Sequence, residues 1–178
     1  DPDGTLYITP VGESSPLLDG RPLGLLVCNA GIYADKGHDL ADGFPAAMWA
    51  DTFAVNVAGV FLTVQALLPN LSAGSGKTVV NISSGLGSVA NNDSARFYGY
   101  RESKAALNMF SRSLGAEKRD EGFIVVSMSP GWVRTDMGGP DANLSPEESV
   151  GGILKTLAGL APGDTGGYFN YDGTRLDW

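Results

Sequence analysis

Apolar positions along the chain fall into short continuous runs that alternate with longer, helically spaced stretches. Leu25-Leu26-Val27 is a continuous run ending at Asn29-Ala30-Gly31, the pattern of a strand buried on both faces and its following turn. Between Pro45 and Leu71 apolar residues recur at Phe53, Val57, Val60, Phe61, Val64, Leu67 and Leu68, which predicts a long amphipathic helix. Lys77 to Ile82 predicts a second buried strand. A helix from about Tyr100 to about Lys118 carries Ala105, Leu107, Met109, Phe110 and Leu114, and Phe123 to Met128 predicts a third strand. Ser145-Pro146-Glu147-Glu148 predicts a capped helix start with acidic residues in its first turn, the helix running to about Leu160. Tyr168 to Tyr171 predicts a last strand, turned by Asp172-Gly173. Strands alternating with helices, each strand apolar throughout, argue an α/β fold with a parallel sheet covered on both faces.

The first 24 residues are different: Pro, Gly, Ser and Asp dominate, broken by Leu6-Tyr7-Ile8, which predicts a short strand, and by the turn dipeptide Asp19-Gly20, which predicts a hairpin arm. The length of 178 residues fits one domain with a sizeable core. A net charge of −8 with only 12 Lys+Arg opposes nucleic-acid and acidic-membrane partners, which need a basic face. The single Cys28 has no internal disulfide partner, and no apolar run reaches the roughly 18 residues of a membrane span, so a reducing, cytoplasmic setting is the expectation. The chain opens on aspartate with neither methionine nor secretory signal, which reads as a trimmed or fragmentary start.

Two segments imitate nucleotide-binding loops. Ser75-Gly76-Lys77-Thr78 resembles the end of a P-loop, but Leu71 stands where a glycine is needed and the segment precedes a strand. Gly85-Leu86-Gly87-Ser88-Val89-Ala90 follows a strand, but Asn91-Asn92-Asp93-Ser94 then breaks any helix whose N-terminus could hold a pyrophosphate. Both read as plain loops. Chemistry lies elsewhere. Tyr100 and Lys104, four apart, share one face of a helix, and an ammonium beside a phenol favours the phenolate, apt for a general acid/base. Ser83-Ser84 ends a strand, where ligands of parallel sheets sit. Asn56 interrupts an apolar helical stretch and must find a hydrogen-bond partner, as a structural bridge or as part of a site. Asn29-Ala30-Gly31 closes another strand with small residues that admit a ligand to the backbone.

These elements, in order, resemble the short-chain dehydrogenase/reductase family: Asn29-Ala30-Gly31, Asn56-Val57-Ala58-Gly59, Val80-Asn81-Ile82-Ser83-Ser84, Tyr100-Arg101-Glu102-Ser103-Lys104 and Pro130-Gly131-Trp132-Val133-Arg134-Thr135-Asp136. Tyr98-Gly99-Tyr100-Arg101, the long spacing from Ser84 to Tyr100 and the ending Gly167-Tyr168-Phe169-Asn170-Tyr171-Asp172-Gly173-Thr174 are similar to the sniffer and C-factor type of carbonyl reductase. The resemblance covers about Leu25 to Trp178 and implies a Rossmann-like doubly wound sheet, truncated at its N-terminus, with residues 25–178 as the catalytic portion and 1–24 as an unmatched arm. It implies a hydride transfer between NADP or NAD, with NADP favoured, and a small-molecule carbonyl or secondary alcohol. In that reading Tyr100 donates the proton, Lys104 lowers the tyrosine pKa and holds the nicotinamide ribose, Ser84 polarises the carbonyl, and Asn56 anchors a water linking Lys104 to solvent. Asn29, Ala30 and Gly31 line the cofactor cleft, Pro130, Gly131, Val133 and Thr135 lie along the nicotinamide, and no metal is implied. Ser84 fills the family's second-serine position; Ser83, adjacent on an extended strand, points the other way. Tyr98 is the competing tyrosine but has Glu102, not a lysine, four residues on.

The family's opening strand, Gly-rich turn and helix, which hold the cofactor pyrophosphate, have no counterpart before Leu25, and 24 residues are too few for a βαβ unit of about 30. The strand at Leu25 is then expected at an exposed sheet edge, to be covered by the arm, by a second copy of the chain or by a separately supplied segment. The apolar helices around Asn56 and Lys104 resemble those that pair between family subunits, which implies a homo-oligomer, dimer or tetramer. A second expectation stays open beside the oxidoreductase: a Rossmann-like remnant acting as an oligomeric or binding module. A serine hydrolase is excluded by the lone His38 and the lack of a G-x-S-x-G elbow.

Overall fold

The computed structural model of the chain describes residues 20–41, 43–94 and 96–178. The strand and most of the hairpin arm expected before Gly20 lie outside the described residues. Four strands, β1 (Leu25–Cys28), β2 (Thr78–Ile82), β3 (Ile124–Ser129) and β4 (Gly167–Asn170), form one sheet in the order β1-β2-β3-β4. Every neighbouring pair is parallel, with Leu26 opposite Val79, Val79 opposite Val125 and Met128 opposite Phe169. Parallel strands need crossovers, and the chain supplies α1 (Ala46–Phe53) and α2 (Val60–Ala73), then α3 (Tyr98–Lys118), then α4 (Pro146–Ala158).

Side-chain alternation along each strand decides which helix covers which face. Leu26 and Cys28, Val79 and Val125 pack with Val60, Val64, Leu67 and Leu71 of α2 and Leu107 of α3. Val80, Ile82, Val126, Met128 and Phe169 face the other way and pack with Ile153 and Leu157 of α4. The strand order advances steadily while α4 changes face, so the β3-to-β4 crossover winds opposite to the first two. On the α4 side Leu25 and Val27 of β1 are only half-buried, because β1 is the edge strand among the described residues.

Most elements begin and end within two residues of their expected bounds. The helix α4 is set by a full capping box, Ser145 Oγ accepting from Glu148 N–H while the Glu148 carboxylate accepts from Ser145 N–H, with Pro146 in the first turn. Two expectations are corrected. The helical stretch from 46 to 73 is not uniform: Ala54–Gly59 is a π-helical turn between α1 and α2. It surrounds Asn56, whose amide is drawn into long-range bonds that an unbroken α-helix would not aim, and such turns gather at functional sites. The same stretch also contains an 18-residue window, at mean hydropathy 1.6, that is apolar and long enough to cross a membrane by length and composition, although no single run in the sequence is unbroken. Its Val60, Val64, Leu67 and Leu71 stripe is committed to the sheet.

Candidate active site

The loops after β1, β2 and β3 all leave the same, C-terminal, edge of the sheet, and α3 begins above it. At 3.6 residues per turn, Tyr100, Lys104 and Asn108 form one stripe on α3, and all three are buried against those loops. The helix is tied down largely by polar groups. Ser103 Oγ, fully buried, donates to Tyr100 O (2.8 Å) and accepts from Asn56 Nδ2 (2.9 Å). Asn108 Oδ1 accepts from Ser83 Oγ (2.7 Å), and its Nδ2 donates to Gly87 O (3.2 Å). Further along, Asn81 Nδ2 donates to Ser111 Oγ (2.9 Å). Hydrogen bonds fix direction as well as distance, so α3 is held in one rotational setting.

Lys104 is 3% exposed, and its Nζ donates to Ile82 O at the end of β2 (2.9 Å). Burial pushes its pKa down to about 8. The ammonium lies 5.7 Å from the centre of the Tyr100 ring. Tyr100 is 9% exposed; burial raises its pKa, and a hydrogen bond with the Ser84 side chain acts in the lowering direction. Desolvation of the phenolate here outweighs its stabilisation by Ser84.

The two adjacent serines diverge as extended backbone requires. Ser83 is buried and bonded to Asn108, whereas Ser84 caps the short turn Gly85–Gly87, accepting from Leu86 N–H (3.2 Å), and meets Tyr100. The turn runs close under α3: a Cβ on Gly87 would stand 2.9 Å from Lys104 C and Cβ, so only glycine fits there. Among the described residues no α-helix follows this turn until Tyr98, so it offers no adjoining helix N-terminus to a pyrophosphate.

On the β1 side Asn29 and Ala30 are exposed and Gly31 is half-buried. A Cβ on Gly31 would lie 3.4 Å from Lys104 Nζ and 3.5 Å from Asn56 Oδ1, so these groups face one small space. Asn56 is fully buried and braces this loop, Oδ1 accepting from Ile32 N–H (2.8 Å) and Nδ2 donating to Ile32 O (2.9 Å). On the β3 side Ser129 Oγ accepts from both Gly85 N–H (3.1 Å) and Gly131 N–H (3.3 Å), joining the loops that follow β2 and β3. Pro130 O accepts from Ser149 Oγ of α4 (2.7 Å). Val133 and Thr135 lie further along this loop, which is closed by its own bonds: Val133 bridges Leu144, and Thr135 Oγ1 accepts from Gly138 N–H.

Sequence reading did not single out three contributors. Tyr33 places its ring 5.1 Å from that of Tyr100 and 5.5 Å from that of Phe97, and Phe97 enters α3 at a left-handed φ of 60°. Asp35 is buried beside Gly99 at the start of α3, with neither carboxyl oxygen bonded to a described residue. Tyr168 on β4 is 1% exposed and donates its hydroxyl to Ser84 O. Their partners are 67, 64 and 84 positions away, beyond any local motif. Tyr98 instead packs on Phe44 (5.6 Å), and His38 lies against the same ring (6.0 Å). His38 and Phe44, with Gly37, Gly43 and Pro45, line a cavity of about 560 Å³ that contains neither Tyr100 nor Lys104. Cys28 is buried, and its thiol pKa is pushed up to about 12, which leaves it unreactive.

Comparison with known proteins places this geometry. The family model for short chain dehydrogenases matches residues 18–143. A protein named C-signal from Myxococcus xanthus is 43% identical over 157 residues, covering 88% of this chain and 93% of that protein. The carbonyl reductase Sniffer of D. melanogaster superposes with a TM-score of 0.85 at 35% identity, over 91% of this chain and 69% of that one. An NADPH-bound carbonyl reductase from chicken fatty liver superposes at 0.83 with 34% identity, over 91% of this chain and 68% of that one.

Proposed function

The chain belongs to the short-chain dehydrogenase family, and from that premise we propose that it is an NAD(P)-dependent carbonyl reductase or alcohol dehydrogenase in which Tyr100 is the general acid/base. The observation that carries this reading is the buried pair Tyr100 and Lys104 on α3, lying against the Ser84–Gly87 turn at the open edge of the sheet, with Lys104 Nζ directed at the adjoining space beside Gly31. Residues 25–178 form the catalytic portion. The nicotinamide half of a dinucleotide fits the residues present: Gly31 leaves room where a side chain would close the space, and Asn29 and Ala30 are accessible. Asn29, Ala30, Gly31, Tyr100, Lys104, Pro130, Gly131, Val133 and Thr135 would hold it, and NADP is favoured because neighbours of similar fold carry it. When bound, the nicotinamide supplies or accepts hydride.

The chain's own residues handle the oxygen and its proton. Ser84 donates to the carbonyl oxygen, polarising it, and Tyr100 delivers the proton as negative charge develops there. The resulting phenolate is stabilised by the Ser84 hydroxyl and by the Lys104 ammonium, which its depressed pKa keeps able to give up a proton near neutral pH. Asn56 Oδ1 spends one acceptor site on Ile32 and has a second for a water that connects Lys104 with solvent. The substrate is a small-molecule carbonyl or secondary alcohol, the setting is cytoplasmic, and the active form is a homo-oligomer. Supporting the last point, Phe61, Leu62 and Met109 are exposed on α2 and α3.

A second reading is a non-catalytic Rossmann-like module. The chain spans 69% of the D. melanogaster carbonyl reductase and 68% of the chicken one. Titration with NADPH and NADH, followed by quenching of tryptophan fluorescence, separates the two. Saturable binding supports the oxidoreductase; a folded sample that binds neither dinucleotide refutes it and leaves the module.

A further inference from the structure

The last residues of the chain run back to the loop that carries Ser84. Ser88 Oγ donates to Asp177 O (2.7 Å), and Ala90 N–H donates to Trp178 O (2.7 Å). In both bonds the tail offers a main-chain carbonyl. Trp178 then lies flat on Tyr168, ring centroids 5.3 Å apart and planes 23° from parallel, and the Arg112 guanidinium of α3 stands over the indole at 5.3 Å. Beneath this stack the Tyr168 hydroxyl donates to Ser84 O, which also accepts from Gly87 N–H (2.9 Å). Burial pushes the Tyr168 pKa up to about 12, so its hydroxyl stays protonated and remains a donor throughout the working pH range. Ser84 is thereby held through its carbonyl, and its turn lies against α3 where Gly87 meets Lys104, one helical turn from Tyr100.

We infer that Tyr168, seated by Trp178, is a positioning residue for catalysis, and that the segment ending at Trp178 is a strap fixing the Ser84 loop beneath the proton donor. This rests on the assignment of Ser84 and Tyr100 proposed above. A strand-end serine hydroxyl has rotational freedom, and the loop after it contains Gly85 and Gly87; a second anchor at the Ser84 carbonyl removes motion that would otherwise separate Oγ from the phenol. The strap acts on the hydroxyl pair and leaves the cleft beside Gly31 untouched.

The test compares Tyr168→Phe, Trp178→Ala and Trp178→Phe with wild type in the full chain. Hydrogen exchange should rise in residues 84–91 for Tyr168→Phe and Trp178→Ala, with the β2–β3 core unchanged and Trp178→Phe close to wild type. In turnover, kcat should fall roughly five- to tenfold, the worth of about one hydrogen bond, with KM for the dinucleotide unchanged. The alkaline limb of the kcat profile should move to higher pH, because a loosened Ser84 no longer lowers the Tyr100 pKa. Unchanged exchange in residues 84–91 overturns the strap, and so does faster exchange with unaltered kcat and pH profile. If wild type shows no turnover, the oxidoreductase reading fails separately. The strap is then judged by ultraviolet titration of the tyrosines, with Tyr100 identified by its loss in Tyr100→Phe: an upward shift in Trp178→Ala supports it and an unmoved Tyr100 overturns it.

Discussion

Replacing Lys104 by methionine isolates the energetic consequence of burying its ammonium. The side chain is 3% exposed, and burial lowers its pKa from the ordinary lysine value of 10.5 to about 8. Below pH 8 both folded and unfolded chains hold the proton, and the folded state bears the full desolvation penalty. Between pH 8 and 10.5 the unfolded chain holds more proton than the folded one, so stability rises with pH through that window. Linkage at 1.36 kcal/mol per pH unit puts the gain from this group at roughly 2–3 kcal/mol between pH 7 and pH 10. Methionine fills a similar volume and cannot titrate; the Ile82 carbonyl it leaves without a donor costs about 1–3 kcal/mol at every pH and does not alter the slope. Urea unfolding followed by circular dichroism at pH 7, 8, 9 and 10 gives the stability of each protein. Wild type minus Lys104→Met should increase by roughly 2–3 kcal/mol across the series. A flat or falling difference would refute the claim that the lysine is charged and desolvated in the folded state.

Two other substitutions probe the support of the site. Gly87→Ala puts a methyl carbon 2.9 Å from the Lys104 backbone, and thermal unfolding should show a loss of about 1–3 kcal/mol with a disproportionate fall in kcat as α3 is pushed off the Ser84 loop. Wild-type stability and activity in this variant would contradict the close approach. Ser127→Ala removes a buried hydroxyl with no partner among the described residues, next to the equally unpartnered Asn81 Oδ1, so it should be neutral or stabilising by up to about 1 kcal/mol in urea titration. A loss well beyond that size would mean that the hydroxyl is bonded in solution.

What the sequence made legible was what local physics determines. Continuous apolar runs such as Val79-Val80 and Val125-Val126 could only be strands covered on both faces, and Ser145 with Glu148 defined the start of α4 within a residue. The parallel α/β class followed from their alternation with helices. The π turn at Ala54–Gly59 was not legible, because its cause is a bond between Asn56 and the backbone of Ile32, 24 residues earlier. The opposite hand of the last crossover was not legible either, since Ile153 and Leu157 would suit either face of the sheet. At the site, ordered motifs brought the residues named by the resemblance into view, and the structure gathers Ser84, Tyr100, Lys104, Asn56 and Gly31 at one sheet edge. The balance of burial against charge at Tyr100 depends on packing that no motif encodes. Tyr168 and Trp178 read as ordinary members of a terminal strand and tail until the fold laid them beneath Ser84.

The most direct test of the central claim is the rate of NADPH oxidation at 340 nm with a reactive aromatic diketone, measured for wild type and for Tyr100→Phe under identical conditions. Phenylalanine keeps the ring against Tyr33 and removes only the proton donor. The account predicts measurable turnover in wild type and a loss of at least about 100-fold in kcat for a variant with an unchanged melting temperature, as expected for removal of a general acid. Equal rates in the two proteins would contradict it.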